Sequence, residues 1–340
     1  MKLVVAGNGP VGHHLVTRLR DRDPDGAWEV TVLAEETRPA YDRTRLSEYF
    51  HGSTMTDLTL EPVPGTTLRL GRPAEEIDRE RRMVITRDGE YRYDALVLAT
   101  GAYPYVPPIP GAGLGGCFTY RTADDLTDLE AYALGRQHAL VLGGGLLGLE
   151  AANALRLLGL RTHLVEQAPH LLTGHLDAGG AQVLRGQVEG LGIHVHTGRR
   201  VTRLTADATG AVRQAVLADG GVLGCDLVVF ACGVRPRDDL AREAGLALGG
   251  RGGIAVDDAC RSSDEAIYAI GECAELDGQR YGLLPPGLAM AEVVVDRLLG
   301  GNARFAGADT SVRLRLAGVE AASFGQLTGG LDVTFADPAG

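Results

Sequence analysis

Two glycine-rich segments have the residue types and the spacing that bind a dinucleotide. Val4–Gly12 and Leu140–Gly148 each combine an apolar strand pattern with G-x-G-x-x-G and an apolar-periodic helix. Their first glycines, Gly7 and Gly143, lie 136 residues apart. The glycines permit a tight turn and let the backbone approach a pyrophosphate, whose charge the following helix N-terminus favours. Two such loops in one chain predict electron transfer between two nucleotides.

The glycine pattern needs support from its context, because glycine makes up 48 of the 340 residues. That is about twice the usual share, so roughly one G-x-G-x-x-G match is expected by chance. A third match, Gly111–Gly116, directly follows Pro107, Pro108, Ile109 and Pro110. Proline cannot donate to a sheet ladder, so this run is no central strand. We therefore interpret the third match as a linker.

Both loops are followed by a second apolar strand that ends in an acid. Glu35 comes 28 residues after Gly7, and Glu166 comes 23 residues after Gly143. A carboxylate at this strand end accepts hydrogen bonds from an adenosine ribose. The duplication continues further on, where the apolar run 96–101 has its counterpart in 228–233, and each run ends in a small residue and glycine. The repeat favours two nucleotide sites over two solvated carboxylates.

Composition excludes several other classes of function. The net charge of −11 and the pI near 5.3 argue against nucleic acid as a partner. Lys2 is the one lysine, against 32 arginines. This excludes a Schiff-base mechanism and a P-loop, both of which need a lysine. Apolar runs stay below the ~18 residues of a membrane helix, and the apolar N-terminus is a nucleotide strand and no signal peptide. We therefore expect a cytoplasmic protein without a membrane partner.

Residues that could ligate metals or act as nucleophiles do not form convincing sets. The five cysteines form no C-x-x-C and no four-cysteine set, so reduced thiols and no iron–sulfur cluster are expected. His194 and His196 alternate on one strand face, but a third ligand is not apparent. A serine hydrolase is unsupported because G-x-S-x-G is missing. We expect no metal and no thiol in turnover.

Four further segments indicate the protein family to which the two loops belong. They are Tyr41–Arg43 followed by Leu46-Ser47, Ala99–Pro104, Gly144–Ala152 and Tyr268–Cys273. Together the motifs resemble the pyridine nucleotide-disulphide oxidoreductase superfamily, whose members hold FAD in a first unit and NAD(P)H in an inserted one. The likeness covers about residues 1–320. It is closest to the flavin-containing N-terminal module of the NAD(P)H nitrite reductase large subunit, with rubredoxin and ferredoxin reductases next.

The resemblance implies an α/β fold with two Rossmann-like dinucleotide-binding domains, the NAD(P) domain being inserted in the FAD domain. A short C-terminal remnant would follow. The short strands after residue 253 need a parent sheet, and the first domain is the simplest one. The predicted divisions are 1–113 and 241–302 for the FAD-binding domain, 114–240 for the NAD(P)-binding domain, and 303–340 for a truncated interface segment.

The resemblance also assigns residues to the two nucleotides. Glu35 would contact the FAD ribose, Glu272 the ribityl or pyrophosphate portion, and the Gly287 helix would direct its positive N-terminus toward the flavin pyrimidine edge. Arg43, Arg45 and Glu150 would lie near the flavin, and no side chain is assigned as catalytic. The full set of assigned residues is Gly7, Gly9, Pro10, Gly12, Glu35, Arg43, Thr100, Gly101, Gly143, Gly145, Leu146, Gly148, Glu150, Glu166, Gly233, Gly271, Glu272 and Gly287.

The chain departs from the family pattern at one charged position. Ferredoxin-reductase relatives place a lysine after Leu-Ser, paired with the second-loop glutamate. Here that position is Glu48, so Glu48 and Glu150 would be like charges if both faced inward. Either Glu48 turns to solvent or Arg45 supplies the cation, and we favour Arg45. The full C-terminal interface domain of the family is also missing, which leaves dimerisation and shielding of the flavin open.

These features predict an FAD-dependent NAD(P)H oxidoreductase that passes electrons to a downstream redox domain or a carrier protein. NADH is expected over NADPH, because Glu166 would repel a 2′-phosphate while Gln167 and Ala168 supply no cation. Nitrite is not expected to be reduced by this chain alone. The enzymatic alternatives are a ferredoxin or rubredoxin reductase and an NADH oxidase. The alternative from another class is a non-catalytic, flavin- and nucleotide-binding redox sensor.

Overall fold

The computed structural model describes residues 1–316 and 319–325. The chain divides into two compact units. Unit 1 comprises Met1–Leu46, Thr54–Tyr103 and Val234–Thr310. Unit 2 comprises Ser47–Ser53, Pro104–Gly233 and the chain from Ser311. The predicted domain limits at 113/114 and 240/241 differ from these crossings, and the predicted domain division stays a prediction.

Both units combine parallel sheets with helices, as expected of an α/β chain, and both also contain strands that follow one another without a helix between them. The strands are Lys2–Ala6 (β1), Glu29–Leu33 (β2), Thr66–Arg69 (β3), Glu76–Asp78 (β4), Met83–Thr86 (β5), Gly89–Arg92 (β6), Ala95–Leu98 (β7), Ala102–Pro104 (β8), Cys117–Thr119 (β9), His138–Leu142 (β10), Arg161–Glu166 (β11), His194–Thr197 (β12), Val201–Ala206 (β13), Val212–Leu217 (β14), Val222–Gly224 (β15), Leu227–Phe230 (β16), Val234–Pro236 (β17), Ile254–Val256 (β18), Ile267–Ala269 (β19), Ala274–Leu276 (β20), Val312–Leu316 (β21) and Val319–Ser323 (β22). The helices are Pro10–Arg22 (α1), Met55–Leu58 (α2), Ala123–Ala133 (α3), Leu146–Leu157 (α4), Ala178–Gly190 (α5), Asp239–Glu243 (α6) and Leu284–Leu298 (α7), with 3₁₀ turns at Arg43–His51 and Gly271–Cys273.

Unit 1 is built on a parallel sheet with the strand order β19-β7-β1-β2-β3. Its central strands are apolar and buried: Leu3 to Ala6 in β1 are at most 1% exposed, and Leu96 to Leu98 in β7 are fully buried. Continuous burial of this kind is typical of parallel strands covered on both faces. Helices α1 and α7 pack against each other in the same core. Of the short strands after residue 253, β19 joins this sheet as expected, whereas β18 pairs with β20 in a separate two-stranded sheet.

Unit 2 repeats the arrangement with the parallel order β12-β11-β10-β16-β9. An antiparallel meander, β13-β14-β15, contributes to a core with one face of this sheet, where Leu140 and Phe230 meet Leu204 and Ala215. Strand β10 has the same place in unit 2 that β1 has in unit 1. The carboxyl ends of the central strands therefore carry the glycine loops in both units, which is where open α/β sheets bind ligands.

The third glycine match forms a linker with turns, as expected from its prolines. A side chain on Gly111 would overlap the carbonyl oxygen of Leu204. The Leu204 N–H in turn donates to Pro110 O at 2.8 Å. Gly111 is therefore required by the packing of the linker on the meander. The segment is followed directly by strand β9 and not by a helix.

The predicted helix at Gly287 differs from the structure in where it begins. Helix α7 begins at Leu284, before Gly287, because prolines at its first positions suit a helix N-terminus. The alternating segment after Gly300 is strand β21, which pairs with β22 in a hairpin. The rest of the predicted C-terminal segment, residues 317–318 and 326–340, lies outside the described residues. No helix within the described ranges is long and apolar enough to cross a bilayer.

The edge of the unit 2 sheet carries a histidine cluster that the sequence shows only in part. His163 on β11 stacks on His194 and His196 of β12, with ring centroids 4.8 and 5.3 Å apart. His163 Nδ1 lies 3.0 Å from His196 Nε2. The described residues hold no group of His, Cys, Asp or Glu arranged for a metal ion. Burial lowers the pKa of His163 to about 4, with further lowering by His194, His196, Arg161 and His138.

This cluster predicts an acid-sensitive unit 2. A histidine whose pKa is lowered in the folded state binds fewer protons than in the unfolded chain, so stability falls as pH drops from about 6.5 toward 4. We expect the loss to be about 1–2 kcal/mol after discounting for solvent exposure. Urea unfolding at pH 7 and pH 5 measures it.

The variant H163Q should flatten the pH dependence, because glutamine carries no titrating group. The matched control is H13Q, since His13 belongs to α1 of unit 1 and its Nε2 lies 2.8 Å from Glu61 O. An identical pH dependence in H163Q and in the native chain would contradict the role of the cluster.

Candidate nucleotide-binding sites

The first glycine loop joins β1 to α1 through contacts that only glycine allows. Gly7 has φ +116°, and a side chain there would overlap the Ala99 carbonyl oxygen at the end of β7. A side chain on Gly12 would overlap Gly7 O. The Gly7 N–H donates to Leu33 O at 2.9 Å. The loop is thus pressed against two neighbouring strands, and the helix is pressed against the loop.

The second loop has the same contacts. Gly143 has φ +112°, and a side chain on it would overlap the Ala231 carbonyl oxygen beyond β16. A side chain on Gly148 would overlap Gly143 O, and the Gly143 N–H donates to Val165 O at 2.9 Å. Sequence reasoning identified the glycines and the repeated runs that contain Ala99 and Ala231, but not the contact between the two. The duplicated small residue before Thr100-Gly101 and Cys232-Gly233 was the available signal.

The middle glycines leave both helix N-termini open. Gly9 and Gly145 are the N-cap residues of α1 and α4, and neither helix start has a side-chain cap. Nothing lies within 4 Å of a side chain built on either glycine. Pro10 and Leu146 occupy the first helical positions, and neither offers a polar side chain. Each loop therefore presents free backbone donors and a positive helix end to an anion.

Glu166 is fixed against the second loop. Its Oε2 accepts from the Gly144 N–H at 2.6 Å, and its Oε1 accepts from the Ala168 N–H at 2.7 Å. Each carboxylate oxygen keeps a further lone pair for a donor such as a ribose hydroxyl. The charge lies beside Cys232, where it adds to the raising of that thiol pKa. The arrangement can accept hydrogen bonds from a ribose diol.

The acid of unit 1 is displaced by one residue from this position. Because Gly7 bonds Leu33 and Gly143 bonds Val165, the residue equivalent to Glu166 is Ala34 and not Glu35. Glu35 is exposed and forms an ion pair with Arg237, whose guanidinium lies 4.2 Å from the centroid of the Tyr103 ring. Sequence spacing alone missed both the offset and Arg237. The ribose role of Glu35 stays a proposal.

Gly271 and Glu272 follow β19 at the carboxyl end of the unit 1 sheet, and the start of α7 with Gly287 packs against them. Gly271 has φ +76°, and a side chain on Gly287 would come within 2.7 Å of Val11 Cγ2 and 3.2 Å of Gly271 Cα. The starts of α1 and α7 and the 3₁₀ turn that includes Glu272 are therefore packed together. This convergence requires glycine at position 287, and Val11 is the contact that the sequence did not reveal.

Thr100 and Gly101 form hydrogen bonds with Arg237, in the segment by which the chain re-enters unit 1. Thr100 Oγ1 donates to Arg237 O at 2.7 Å, and the Arg237 N–H donates to Gly101 O at 2.9 Å. Gly101 and Gly233 both have positive φ, at +70° and +100°, with open space where a side chain would be. The two glycines thus end their strands in equivalent, uncrowded turns.

The charged residues after β2 have partners within their own unit. Arg43 forms an ion pair with Glu36 and lies 5.6 Å from the Tyr41 ring centroid. Arg45 Nη1 donates to Asp57 O at 3.4 Å and lowers the pKa of the Asp57 carboxyl, an effect smaller than that of the Thr54 hydrogen bonds. Glu150 lies in the first two turns of α4. The supply of a cation to Glu150 by Arg45 stays a prediction.

All five cysteines carry free thiols. Burial raises the pKa of Cys117 and Cys232 to about 11 and that of Cys225 and Cys260 to about 12, and it also raises the pKa of Cys273. The thiolate is the nucleophile, so these thiols are unreactive near neutral pH. The sites therefore offer nucleotide binding without a thiol nucleophile.

Residues 1–292 match the family model of the pyridine nucleotide-disulphide oxidoreductases. The chain is 46% identical over 333 residues to the NAD(P)H nitrite reductase large subunit of Klebsiella oxytoca, covering 96% of this chain and 35% of that protein. It is 41% identical over 335 residues to the NADH nitrite reductase large subunit of Escherichia coli strain K12, covering 97% and 40%. The chain thus spans two-fifths or less of these relatives.

A solved structure agrees with this relationship. The ferredoxin reductase for the CYP199A2 system of Rhodopseudomonas palustris has a TM-score of 0.85 at 29% identity, over 92% of this chain and 79% of that one. The predicted fold with two Rossmann-like domains is confirmed, and so are FAD and NAD(P)H as the cofactors of the family. The repeated glycine loops, their open helix ends and the family match lead to one conclusion: the chain belongs to the pyridine nucleotide-disulphide oxidoreductase family.

Proposed function

We propose that this chain is an NADH-dependent flavoprotein reductase module, with FAD held by unit 1 and NADH by unit 2. The observation that carries the proposal is the pair of open loops at Gly9 and Gly145, each at an uncapped helix start. One site per unit suits a protein that handles two dinucleotides. The likeness to nitrite reductase large subunits and to a ferredoxin reductase supports an electron-transfer role.

The residues present fit the two groups. The space at Gly9 admits a pyrophosphate against the start of α1, and the packed starts of α1 and α7 bring two helix N-termini to the same end of the sheet. Gly145 and Glu166 provide the matching pyrophosphate and ribose contacts in unit 2. When bound, FAD supplies the ability to accept a hydride from nicotinamide and to release its electrons to another redox centre.

The residues of the chain itself bind the two nucleotides and orient them. The loop amides hold phosphate, and Glu166 holds ribose and disfavours a 2′-phosphate. The buried thiols stay protonated and take no part in turnover. We propose that the electrons leave to a separate carrier or a downstream redox domain, since the resembling proteins are longer than this chain. Oxygen is the competing acceptor, as in the NADH oxidase alternative.

The first prediction from the proposed function concerns the electron acceptor. The purified chain, loaded with FAD, should consume NADH rapidly with ferricyanide or a ferredoxin, slowly with oxygen, and without forming ammonium from nitrite. The reason is that nitrite reduction needs centres for six electrons, whereas flavin chemistry suffices for ferricyanide. NADH absorbance, oxygen uptake and ammonium assays measure the reactions with the four acceptors: ferricyanide, a ferredoxin, oxygen and nitrite. FMN in the denatured supernatant, or a flavin that NADH cannot bleach, would refute the proposed function.

The second prediction separates the two sites with one substitution in each. G9D and G145D place a carboxylate in the open space at a helix start, where aspartate is also a good N-cap. Both variants should therefore fold. Repulsion of the pyrophosphate should weaken nucleotide binding by at least about 10-fold, from roughly 1–4 kcal/mol of charge repulsion.

The two variants are each other's controls. G145D should retain FAD that dithionite reduces but NADH does not, whereas G9D should lose FAD and still bind NADH. Flavin absorbance and quenching of nucleotide fluorescence distinguish these states. Loss of both nucleotides in either variant, or of neither, would contradict the assignment of one nucleotide to each loop.

The third prediction concerns nucleotide selectivity. The native chain should prefer NADH over NADPH in kcat/KM by about 10-fold or more, because Glu166 accepts from a ribose diol and repels a 2′-phosphate. E166Q should lower the ratio of kcat/KM with NADH to kcat/KM with NADPH, mostly because kcat/KM with NADH falls. E189Q, an exposed carboxylate on α5, is the matched control and should leave the ratio unchanged. A native preference for NADPH would overturn this assignment.

A further inference from the structure

Tyr120 in unit 2 holds a buried hydroxyl that the proposed function has not used. Its side chain is 3% exposed, and its hydroxyl oxygen has no hydrogen-bond partner. A buried polar group without a partner costs about 1–3 kcal/mol. Phenylalanine would fill the same volume without this cost. Such groups in native structures call for an explanation, and a ligand that provides the partner is one.

The position of Tyr120 in the fold indicates which ligand group it faces. Tyr120 follows β9, whose last residue, Thr119, is paired with Phe230 of β16. It therefore lies at the carboxyl end of the sheet, the same end as the loop after β10. Glu166 on β11 takes the ribose of the adenosine half on one side of that loop. The other half of a dinucleotide, which carries nicotinamide, extends toward β16 and β9 on the opposite side.

The surroundings of Tyr120 include a carboxylate and an aromatic ring. The Glu150 carboxylate on α4 lies close enough to add to the raising of the Tyr120 pKa, after the larger effect of burial. The Phe50 ring stacks against Tyr120, with centroids 6.5 Å apart and planes at 25°. A neutral, planar and polar group suits this environment, and an anion does not, because Glu150 would repel it.

One turn along α4 from Glu150 lies the buried amide of Asn153. Its Oδ1 accepts from Arg156 Nε at 3.0 Å and from Nη2 at 2.8 Å, and its Nδ2 lies 3.4 Å from His51 Nε2. Asn153 is 3% exposed. The hydrogen-bonding capacity of the Asn153 amide is thus largely used, whereas the Tyr120 hydroxyl has no hydrogen-bond partner.

We propose that the Tyr120 hydroxyl donates a hydrogen bond to the carboxamide oxygen of nicotinamide and thereby orients the ring in unit 2. The proposal rests on NADH as the nucleotide of unit 2. The carboxamide is neutral and planar, and its oxygen is the acceptor that the hydroxyl lacks. We expect the Phe50 ring to shift as the carboxamide enters, since the hydroxyl is covered in the structure.

The test compares Y120F with a matched control, Y132F. Tyr132 on α3 also has a buried hydroxyl without a partner, but it lies beside Gly116, which precedes β9, at the opposite end of that strand. Both variants remove one unpaired hydroxyl and should fold at least as stably as the native chain. For Y120F we expect kcat/KM with NADH to fall about 3–10-fold, the value of one neutral hydrogen bond, with FAD content unchanged. Y132F should behave as the native chain.

Reduced thionicotinamide adenine dinucleotide gives a readout that a purely structural role would not move. Its sulfur is a weaker acceptor than the carboxamide oxygen, so Y120F should lose less with this nucleotide than with NADH. Equal losses with the two nucleotides, or no loss with NADH, would overturn the role of Tyr120 while the reductase function stands. Failure of the native chain to reduce its flavin with NADH would instead overturn the proposed function and this inference with it.

Discussion

The contact on which both sites depend is the approach of loop backbone to strand backbone without a side chain between them. Gly7 lies against Ala99, and Gly143 lies against Ala231, at distances that a Cβ would make impossible. The next helix then packs on the loop through Gly12 or Gly148. This contact sets each helix N-terminus at the carboxyl end of its sheet. Without it, the loop amides would not converge on a pyrophosphate.

The two loops share this geometry but differ in their electrostatics. In unit 2, Glu166 accepts from the Gly144 amide, and a side chain on Gly144 would come within 3.0 Å of the Glu166 Cβ. In unit 1, Ala34 takes the place of Glu166, and Asn8 takes the place of Gly144. Unit 1 thus carries a polar side chain on the loop, at Asn8, whereas unit 2 carries one at the end of the strand, at Glu166. One scaffold thereby presents different groups beside its two glycine loops.

Burial decides which side chains are kept out of the chemistry. Desolvation raises the pKa of the cysteine thiols, which disfavours the nucleophilic thiolate near neutral pH. The histidine stack at β11 and β12 shows the same effect on a base, since burial among like groups disfavours the charged form of His163. Tyr120 differs from these groups because its hydroxyl is buried without the partner that would satisfy it.

The sequence alone determined the fold class, the family and the two glycine loops, because these depend on local requirements. A tight turn needs glycine at Gly7 and Gly143, and a buried parallel strand needs the continuous apolar runs that precede them. The acid Glu166 was also identifiable, since it ends the apolar strand that follows the second glycine loop. The same spacing rule placed Glu35 one residue away from the equivalent position, because counting residues does not give strand register.

Only the tertiary structure decided the contacts between residues far apart in the chain. Ala99 beside Gly7, Val11 beside Gly287, and Arg237 paired with Glu35 each join segments that are distant in sequence. The histidine stack needed the pairing of β11 with β12, and the environment of Tyr120 needed segment 47–53 and α4 brought to the end of β9. Periodicity and spacing report which face a residue occupies, but they carry no information on which distant residue it meets. That is set by the order and register of the strands.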